Sequence, residues 1–161
     1  PPPPPPPNHT MVSSSAASDV YKRQVLSPEG GVLQKMLFPF SMGLGGVVGN
    51  GQQYMSWISI DDVVTIISTM LDDEQMAGAY NLVSPESVTN HAFTKSLGSA
   101  LHRPTIFPLP AFMARLMFGE MADALLLSSS RVTSTRLQQH GYTFADNGLT
   151  ETLKRLLHNK T

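Results

Sequence analysis

The chain has 161 residues, a formal net charge of −1 and no cysteine. That length is enough for one domain with its own hydrophobic core. A charge so close to zero excludes the concentrated basic field of a nucleic-acid-binding surface. The lack of cysteine excludes disulfides and thiolate metal sites, and no apolar run approaches the roughly 20 residues of a membrane-spanning helix. We therefore expect a cytoplasmic chain with neither a nucleic-acid nor a membrane partner.

Charged residues make up 14% of the chain, against about 25% in a typical soluble domain. Two interpretations follow from this low fraction. Either uncharged polar side chains cover the surface, or part of the surface is buried against another body. The second interpretation leaves room for a homodimer.

The first 24 residues differ in composition from a folded domain. Residues 1–7 are all proline, and residues 13–18 are serine and alanine. A proline run adopts the extended polyproline II conformation and cannot build a core. Residues 15–24 resemble adapter-derived translation at the start of metagenomic reading frames. We expect residues 1–24 to be a disordered, non-native leader. The alternative is a docking site for a proline-recognising module, although the flanks lack charged anchors.

Before Pro104, the apolar pattern predicts strands and helices in alternation. An aspartate suits the start of a helix because it accepts orphan N–H groups and favours the positive helix end. Such alternation implies parallel strands joined by helical crossovers. The predicted strands are 25–27, 54–60 and 79–83. The first predicted helix runs over 31–41. The second is capped by Asp61 or Asp62 and runs to Leu71, and the third is capped by Thr89 or Asn90 and ends at Arg103.

The pattern changes after Pro104 to short elements, mostly helical. Only about three strands belong to the main sheet, whereas a doubly wound sheet normally has about six. The predicted fold class is α/β, with a partial Rossmann-like parallel sheet in residues 25–103 and a small, mostly helical carboxy-terminal domain in residues 104–161. The elements expected in the second part are a strand at 105–109, a helix after Pro110 that continues through 120–127, a short helix at 134–140, an extended piece at 142–144 and a final helix carrying Leu149, Leu153, Leu156 and Leu157.

Residues 43–51 form a glycine-rich loop. A dinucleotide-binding fingerprint needs glycine at positions i, i+2 and i+5, after a strand and before a helix. Starting from Gly43 the third position is Val48, and starting from Gly49 it is Tyr54. The loop also follows a predicted helix and leads into a strand. It is therefore either a tight connection with positive φ angles or the wall of a ligand cleft.

The polar and aromatic residues that follow the loop are candidates for a binding site. Trp57, the single tryptophan, either packs in the core or joins Gln52 and Gln53 in the wall of a cleft. Arg131 either binds an anionic ligand group or caps the carboxyl end of a helix. The histidines stand apart from one another, and no serine lies in Gly-x-Ser-x-Gly. We predict neither a metal site nor a catalytic nucleophile.

Many spaced motifs lie between residues 25 and 161. They are residues 25–33 (Val-Leu-Ser-Pro-Glu-Gly-Gly-Val-Leu), 43–52, 56–62, 80–85, 88–89, 103–104, 119–120, 130–132 and 141–144. Together these motifs resemble the YfcH-like epimerase family within the extended short-chain dehydrogenases. The part after about Pro104 is similar to the small carboxy-terminal domain of unknown function (DUF1731) of that family.

The resemblance implies an NAD(P)-binding Rossmann fold with a Gly-x-x-Gly-x-x-Gly turn and a catalytic Tyr-x-x-x-Lys pair. None of the four tyrosines of this chain has a lysine four residues on, so no catalytic residue carries over. By resemblance, the glycine loop with Gly45 and Gly46, together with Gln52, Gln53 and Trp57, borders the cleft for substrate and nicotinamide.

The family also implies a function for the whole protein. We expect the chain to be the carboxy-terminal half of an NAD(P)-dependent, nucleotide-sugar-epimerase-like oxidoreductase that acts on a small, sugar-like substrate by hydride transfer. NAD or NADP is expected in the full-length parent. The chain alone is expected to bind no cofactor and to be inactive. The alternative is a stand-alone, non-enzymatic module for substrate recognition or dimerisation.

Overall fold

The computed structural model of the chain describes residues 23–76, 78–119, 122, 129 and 131–158. Most of the predicted leader at 1–24 and the predicted helical continuation at 120–127 lie outside the described residues. All statements below concern the described part of the chain.

A three-stranded sheet with the order β1–β2–β3 positions the other elements. The parallel pair β1 (Arg23–Leu26) and β2 (Tyr54–Ser59) places Gln24 beside Trp57. The third strand, β3 (Val88–Thr89), is antiparallel to β2. The predicted α/β class and the parallel pairing of the first two strands are therefore confirmed, but the sheet is mixed.

The predicted strand at residues 79–83 is wrong. These residues form no ladder, and the chain makes one backbone hydrogen bond to β2 just after them, from the N–H of Ser84 to the carbonyl of Trp57 at 2.7 Å. The edge of β2 is occupied at its start by β3, which pairs with Tyr54 and Met55. The apolar segment therefore lies beside the sheet without extending it.

Helix α1 (Gly31–Ser41) forms the crossover between the two parallel strands, with the predicted bounds. It buries Leu33, Met36 and Phe40, which recur at the helical spacing. Pro39 lies in the last turn, where its missing N–H removes one helical hydrogen bond. The helix ends two residues later, and the chain enters the glycine-rich loop.

Helix α2 (Ile60–Asp72) begins before both predicted capping residues, because Ser59 is its N-cap. The Ser59 hydroxyl accepts the N–H of Asp62 at 3.2 Å and donates to the Asp62 carboxylate at 3.2 Å. The prediction that Asp61 or Asp62 caps this helix is therefore wrong. A serine in extended conformation satisfies the orphan donor and leaves both aspartates in the first turn.

Helix α3 (Asn90–Ala100) starts as predicted, with the Thr89 hydroxyl accepting the N–H of Ala92 at 3.2 Å. The predicted strand at 105–109 is wrong, since only a single bridge joins Leu109 to Val48. Three helices follow in the described residues: α4 (Ala111–Phe118), α5 (Thr135–Gln139) and α6 (Leu149–His158). They correspond to the predicted helix after Pro110, the predicted short helix and the predicted final helix.

The main hydrophobic core joins the sheet to the last helix. It contains side chains from β1, β2, α1, α3 and α6, among them Leu26, Leu33, Trp57, Phe93 and Leu153. Trp57, Phe93 and Leu153 are each 0% exposed, and each such side chain stabilises the fold by about 1.5–3 kcal/mol on burial. A second cluster on the other side of β2 is built around Ile58, Ile66, Met76, Leu137 and Phe144. Residues on both sides of Pro104 therefore share one core.

Candidate functional site: a polar cleft beside the glycine-rich loop

Hydrogen bonds to the rest of the fold hold the glycine-rich loop in place. Gly43, Gly49 and Gly51 have φ angles of 76°, 60° and 72°, a region that side chains rarely adopt, so these positions favour glycine. The carbonyl of Val47 accepts the N–H of Leu109 at 2.8 Å. The predicted tight connection with positive φ angles is confirmed.

The loop closes one side of an open cleft with a volume of about 350 Å³. Ser129 also lines the cleft, and its hydroxyl accepts the N–H of Tyr54 at 3.1 Å. This bond joins residues 75 positions apart and holds Ser129 at the start of β2. The cleft is lined by Gly49, Asn50, Gln52, Gln53 and Ser129.

The described residues that line the cleft carry no charged side chain, and four of the five are polar. Gln53 is 9% exposed, and its Nε2 donates to the carbonyl of Val48 at 2.9 Å, which fixes the side chain. Gln52 is exposed, and its backbone N–H donates to Oδ1 of Asn50 at 3.0 Å. Amides and hydroxyls both donate and accept hydrogen bonds. The cleft can therefore match a ligand rich in hydroxyl groups.

Arg131, the remaining predicted candidate, contacts Tyr54 and is not among the residues that line the cleft. Its guanidinium carbon lies 5.0 Å from the centroid of the Tyr54 ring, within the range of a cation–π contact. The next residue, Val132, donates its N–H to the Ser56 hydroxyl at 2.9 Å. The Arg131 side chain is exposed.

The structure separates the other predicted residues from this cleft. Trp57 is 0% exposed and packs in the main core. Of its two predicted positions, the core and the wall of a cleft, the structure shows the core. Gly45 and Gly46 line a small apolar cavity instead. A Cβ added to Gly45 would lie 2.4 Å from the Phe40 ring, and one added to Gly46 would lie 1.7 Å from the Phe107 carbonyl oxygen. Both glycines thus permit close packing.

Sequence reasoning missed Ser129 as part of the site. A serine in the run before Arg131 carries no local signal, because its place is set by a bond to a distant strand. Asn50 also lines the cleft. It lies within the predicted loop, where a polar residue among glycines could have indicated a ligand contact. The predicted glutamines, by contrast, both line the cleft.

A second opening of about 280 Å³ lies at the carboxyl ends of β1 and β2 and is lined in part by Glu29, Asp61 and Arg155. Arg155 donates from Nη1 to the Asp61 carboxylate at 2.7 Å and from Nε to the Asp146 carboxylate at 3.1 Å. Burial acts to raise the pKa of Asp146, but the hydrogen bond and charge of Arg155, together with hydrogen bonds from Ser59 and Thr152, outweigh it and hold that pKa below its usual value. The arginine is thus committed to a structural ion pair.

Next to this ion pair, the buried carboxylate of Asp62 holds the segment before α6. It is 1% exposed. Its Oδ1 accepts the N–H of Ala145 at 2.9 Å and the Tyr142 hydroxyl at 3.2 Å, and its Oδ2 accepts the N–H of Asp146 at 3.2 Å. Burial, followed by the Asp62 charge, raises the pKa of Tyr142 to about 12. Asp62 acts here as a structural acceptor.

Within the ranges the structure describes, no cluster of three or more His, Cys, Asp or Glu residues could hold a metal ion. Over the same residues, no helix has the length and apolar character needed to cross a membrane. The parallel strands β1 and β2, joined by the crossover helix α1, define a Rossmann-like α/β protein.

Residues 109–156 match the family described as domain of unknown function DUF1731. The chain is 43% identical over 129 residues to the epimerase family protein Mb2239 of Mycobacterium bovis, covering 80% of this chain and 43% of that protein. It is 39% identical over 131 residues to the mouse epimerase family protein SDR39U1, covering 81% of this chain and 44% of that protein.

A crystal structure of the human epimerase family protein SDR39U1 (isoform 2) with NADPH superposes with a TM-score of 0.78 at 35% identity. The match covers 85% of this chain and 47% of that one. The predicted resemblance is confirmed, and the chain belongs to the epimerase family that these relatives define. It spans somewhat less than half the length of the relatives it matches.

Proposed function

We propose that this chain forms the substrate-facing part of an NAD(P)-dependent, epimerase-type oxidoreductase whose substrate is small and hydroxylated, such as a sugar. The observation that carries the proposal is the open cleft lined by Asn50, Gln52, Gln53 and Ser129. Amide and hydroxyl groups can both donate to and accept from a sugar hydroxyl, and Asn50, Gln52 and Ser129 are exposed to such a ligand, whereas Gln53 is nearly buried and bonded to Val48. A site that hydrogen-bonds substrate hydroxyls rejects analogues lacking them, because its polar groups are then left unpaired.

The glycine-rich loop does not fit a dinucleotide. A phosphate cradle needs free backbone N–H groups at the start of a helix. Here the N–H of Val48 donates to Asn90, that of Gly49 to Leu109 and that of Gly51 to Val48, at 2.9, 3.2 and 3.1 Å. The loop also leads into a strand. Since the 161 residues contain no Tyr-x-x-x-Lys pair, we expect no hydride transfer by this chain alone.

The cofactor therefore belongs, in this proposal, to other parts of the whole protein. The human relative was crystallised with NADPH, which supports NAD(P) as the hydride carrier of the complete enzyme. The chain described here then contributes substrate contacts to a reaction whose redox chemistry the dinucleotide supplies.

The second candidate function is a stand-alone recognition module without catalysis. The observation that favours it is the single core that β1, β2, α1, α3 and α6 share. Hydrogen exchange separates the two. Strong protection of the β2 amides (Tyr54–Ser59) is expected of a self-sufficient module, and rapid exchange of the same amides is expected of a part that needs the rest of an epimerase.

The proposal is tested by NMR titration of the ¹⁵N-labelled chain with methyl α-glucoside and, separately, with NADPH. The side-chain amide signals of Asn50, Gln52 and Gln53 should shift with the glucoside. Those of Gln138, an exposed glutamine on α5, should not. Replacing the exposed Gln52 by alanine should weaken glucoside binding about threefold or more, while the matched change at Gln139 should leave it unaltered.

Two results would contradict the proposal. In the first, the glucoside shifts none of the cleft amides at concentrations up to about 100 mM, a range that covers the weak affinities of small ligands. In the second, NADPH saturates the chain with a micromolar Kd. The second result would place the dinucleotide on this half of the fold and remove the division of roles between the two halves.

A further inference from the structure

Large apolar side chains are exposed at twelve of the residues that the structure describes. Eight of them lie on two segments, one at the end of α1 and one that runs from residue 106 into α4. These eight are Phe38, Met42, Leu44, Ile106, Phe107, Phe112, Met113 and Leu116. A concentration of exposed apolar side chains in one region marks an interaction surface more often than the same number scattered singly.

The two segments meet, so the eight side chains belong to one face, which we call the α1–α4 face. Leu44 from the end of α1 and Phe118 from the end of α4 line the same small apolar cavity, together with Leu109. The backbone N–H of Leu109 donates to the carbonyl of Val47 at 2.8 Å. The segment before α4 is therefore fixed against the chain that follows α1.

Helix α4 carries apolar residues on both its inner and its outer side. Ala114 is 0% exposed in the main core, whereas Phe112 and Leu116 are 68% and 84% exposed. Phe112 and Leu116 are four residues apart, so they lie on one side of the helix. A helix that is hydrophobic all round is normally buried on every side. The outer side of α4 is thus suited to contact with another body.

The charge of the α1–α4 face favours a second copy of the chain as that body. In a dimer with two-fold symmetry, a residue near the axis faces its own copy, so a charged residue there would meet a like charge. Residues 36–60 and 104–114 contain no charged residue, and Lys35, Arg103 and Arg115 flank these stretches. An uncharged centre with charged residues at its margin is the composition expected of a protein interface.

The area of the face is also sufficient for a stable dimer. The eight side chains are about two-thirds exposed on average, and each then offers on the order of 100 Å² of apolar surface. The face as a whole offers roughly 800 Å², which is the area that each partner buries in an interface of standard size. It also exceeds the about 300–600 Å² of the largest apolar patch on a typical monomer.

The remaining four exposed apolar side chains form a different face. They are Val25 on β1 and Val64, Ile67 and Leu71 on α2. In the described part of the chain β1 is an edge strand and α2 contacts it, so further strands and helices of a longer α/β protein could cover this face. Helix α2 packs in the second cluster, on the other side of β2 from the main core that α1 and α4 join. A body that covers the face on α2 therefore leaves the α1–α4 face exposed.

We infer that the α1–α4 face binds a second copy of this chain in a dimer with two-fold symmetry, with the two α4 helices in contact at its centre. The inference goes beyond the proposed function and does not depend on it, because none of the residues that line the polar cleft belongs to the α1–α4 face.

The test is sedimentation equilibrium of the whole 161-residue chain over a range of concentrations. Standard-size interfaces have dissociation constants of micromolar or tighter, so the wild type should have twice the monomer mass at about 100 μM. Leu116→Lys should raise the dimer dissociation constant at least about tenfold, because it buries two like charges without partners. Phe112→Ala should raise it about threefold or more, as expected for an aromatic side chain at the centre of an interface.

Leu71→Lys is the matched control. Leu71 is 82% exposed on α2, close to the 84% of Leu116 on α4, and its replacement should leave the dissociation constant within about twofold of wild type. An equal mixture of Leu116→Lys and Leu116→Asp chains should associate more tightly than either variant alone, because opposite charges then meet at the axis. The fluorescence of Trp57 checks that each variant is folded.

The outcomes assign the face. A wild-type chain that is monomeric at about 100 μM overturns the inference, as does a dimer that survives Leu116→Lys or that Leu71→Lys disrupts equally. A monomeric chain that binds phosphatidylglycerol vesicles, and loses this binding in Leu116→Lys, would assign the face to a lipid surface and also overturn it. Loss of the dimer in Leu116→Lys but not in Leu71→Lys supports it. The glucoside titration of the proposed function should give the same cleft shifts in Leu116→Lys, so the failure of one proposal does not imply the failure of the other.

Discussion

Replacing Asp62 by asparagine should destabilise the chain more than any other single carboxylate-to-amide change at α2. The carboxylate is 1% exposed and accepts four hydrogen bonds, from Ser59, Tyr142, Ala145 and Asp146. An asparagine fills the same space, but its NH₂ group must face two of those donors. A hydrogen bond to a charged group contributes about 1.5–3 kcal/mol, and an unsatisfied buried donor adds a desolvation cost. After relaxation, we expect a loss of about 2–4 kcal/mol in unfolding free energy.

The assay is urea unfolding at pH 7, followed by the fluorescence of Trp57. This tryptophan is the only one in the chain and is fully buried, so its emission should move to longer wavelength on unfolding. Asp72→Asn is the matched control, because Asp72 is an exposed carboxylate at the carboxyl end of the same helix. Its removal should change stability by less than about 0.5 kcal/mol, or raise it slightly through the helix dipole. An Asp62→Asn variant that stays within 0.5 kcal/mol of wild type would refute the structural role of this carboxylate.

Three further predictions concern packing and pH. Gly46→Ala places a Cβ 1.7 Å from a backbone oxygen, so it should cost about 2 kcal/mol or more in thermal or urea unfolding. Gly148→Ala, where a Cβ meets nothing within 4 Å, should cost no more than about 1 kcal/mol. Because the pKa of Asp146 is lower in the folded chain despite burial, through its bond to Arg155, its stabilisation is present above the ordinary value of 3.8 and is lost as the pH falls below it. Asp146→Asn should flatten this acid limb in urea unfolding measured from pH 2 to pH 7, and an unchanged limb would contradict the assignment. Because burial raises the pKa of Tyr142 from 10.0 to about 12, its stabilisation is present below pH 10 and disappears toward pH 12. Tyr142→Phe should remove that alkaline dependence, and a phenolate titration near pH 10 by ultraviolet difference absorbance in the wild type would argue against it.

The regular elements that depend on apolar periodicity could be predicted from the sequence. Helix α1 has the predicted bounds because its apolar residues repeat at the helical period and glycines flank it. The predicted start of α2 was wrong because Ser59, Asp61 and Asp62 are all residue types that cap helices. In the structure Ser59 has the extended backbone of an N-cap residue, so the helix begins directly after it. The apolar pattern of residues 79–83 predicts a strand, but in the structure the chain there approaches β2 only through the bond from Ser84 to Trp57. A local pattern does not contain the register between distant segments that ladder formation requires.

The residues of the candidate site also differ in whether the local sequence or a distant contact decides their place. Gln52 and Gln53 were predicted because they directly follow the glycine-rich loop, and both line the cleft. Ser129 could not be predicted, since its place depends on one hydrogen bond to a residue 75 positions away. Trp57 shows the reverse case, because a large aromatic next to polar residues fits a cleft wall and a core equally well in sequence, and its burial on β2 places it in the core.

The most direct test of the proposed function is a crystal structure of the chain with methyl α-glucoside. The proposed function predicts that the sugar ring lies in the cleft, with its hydroxyls hydrogen-bonded to Asn50, Gln52 and Ser129. Ligand density at the second opening, beside Glu29 and Arg155, with an empty cleft would contradict it.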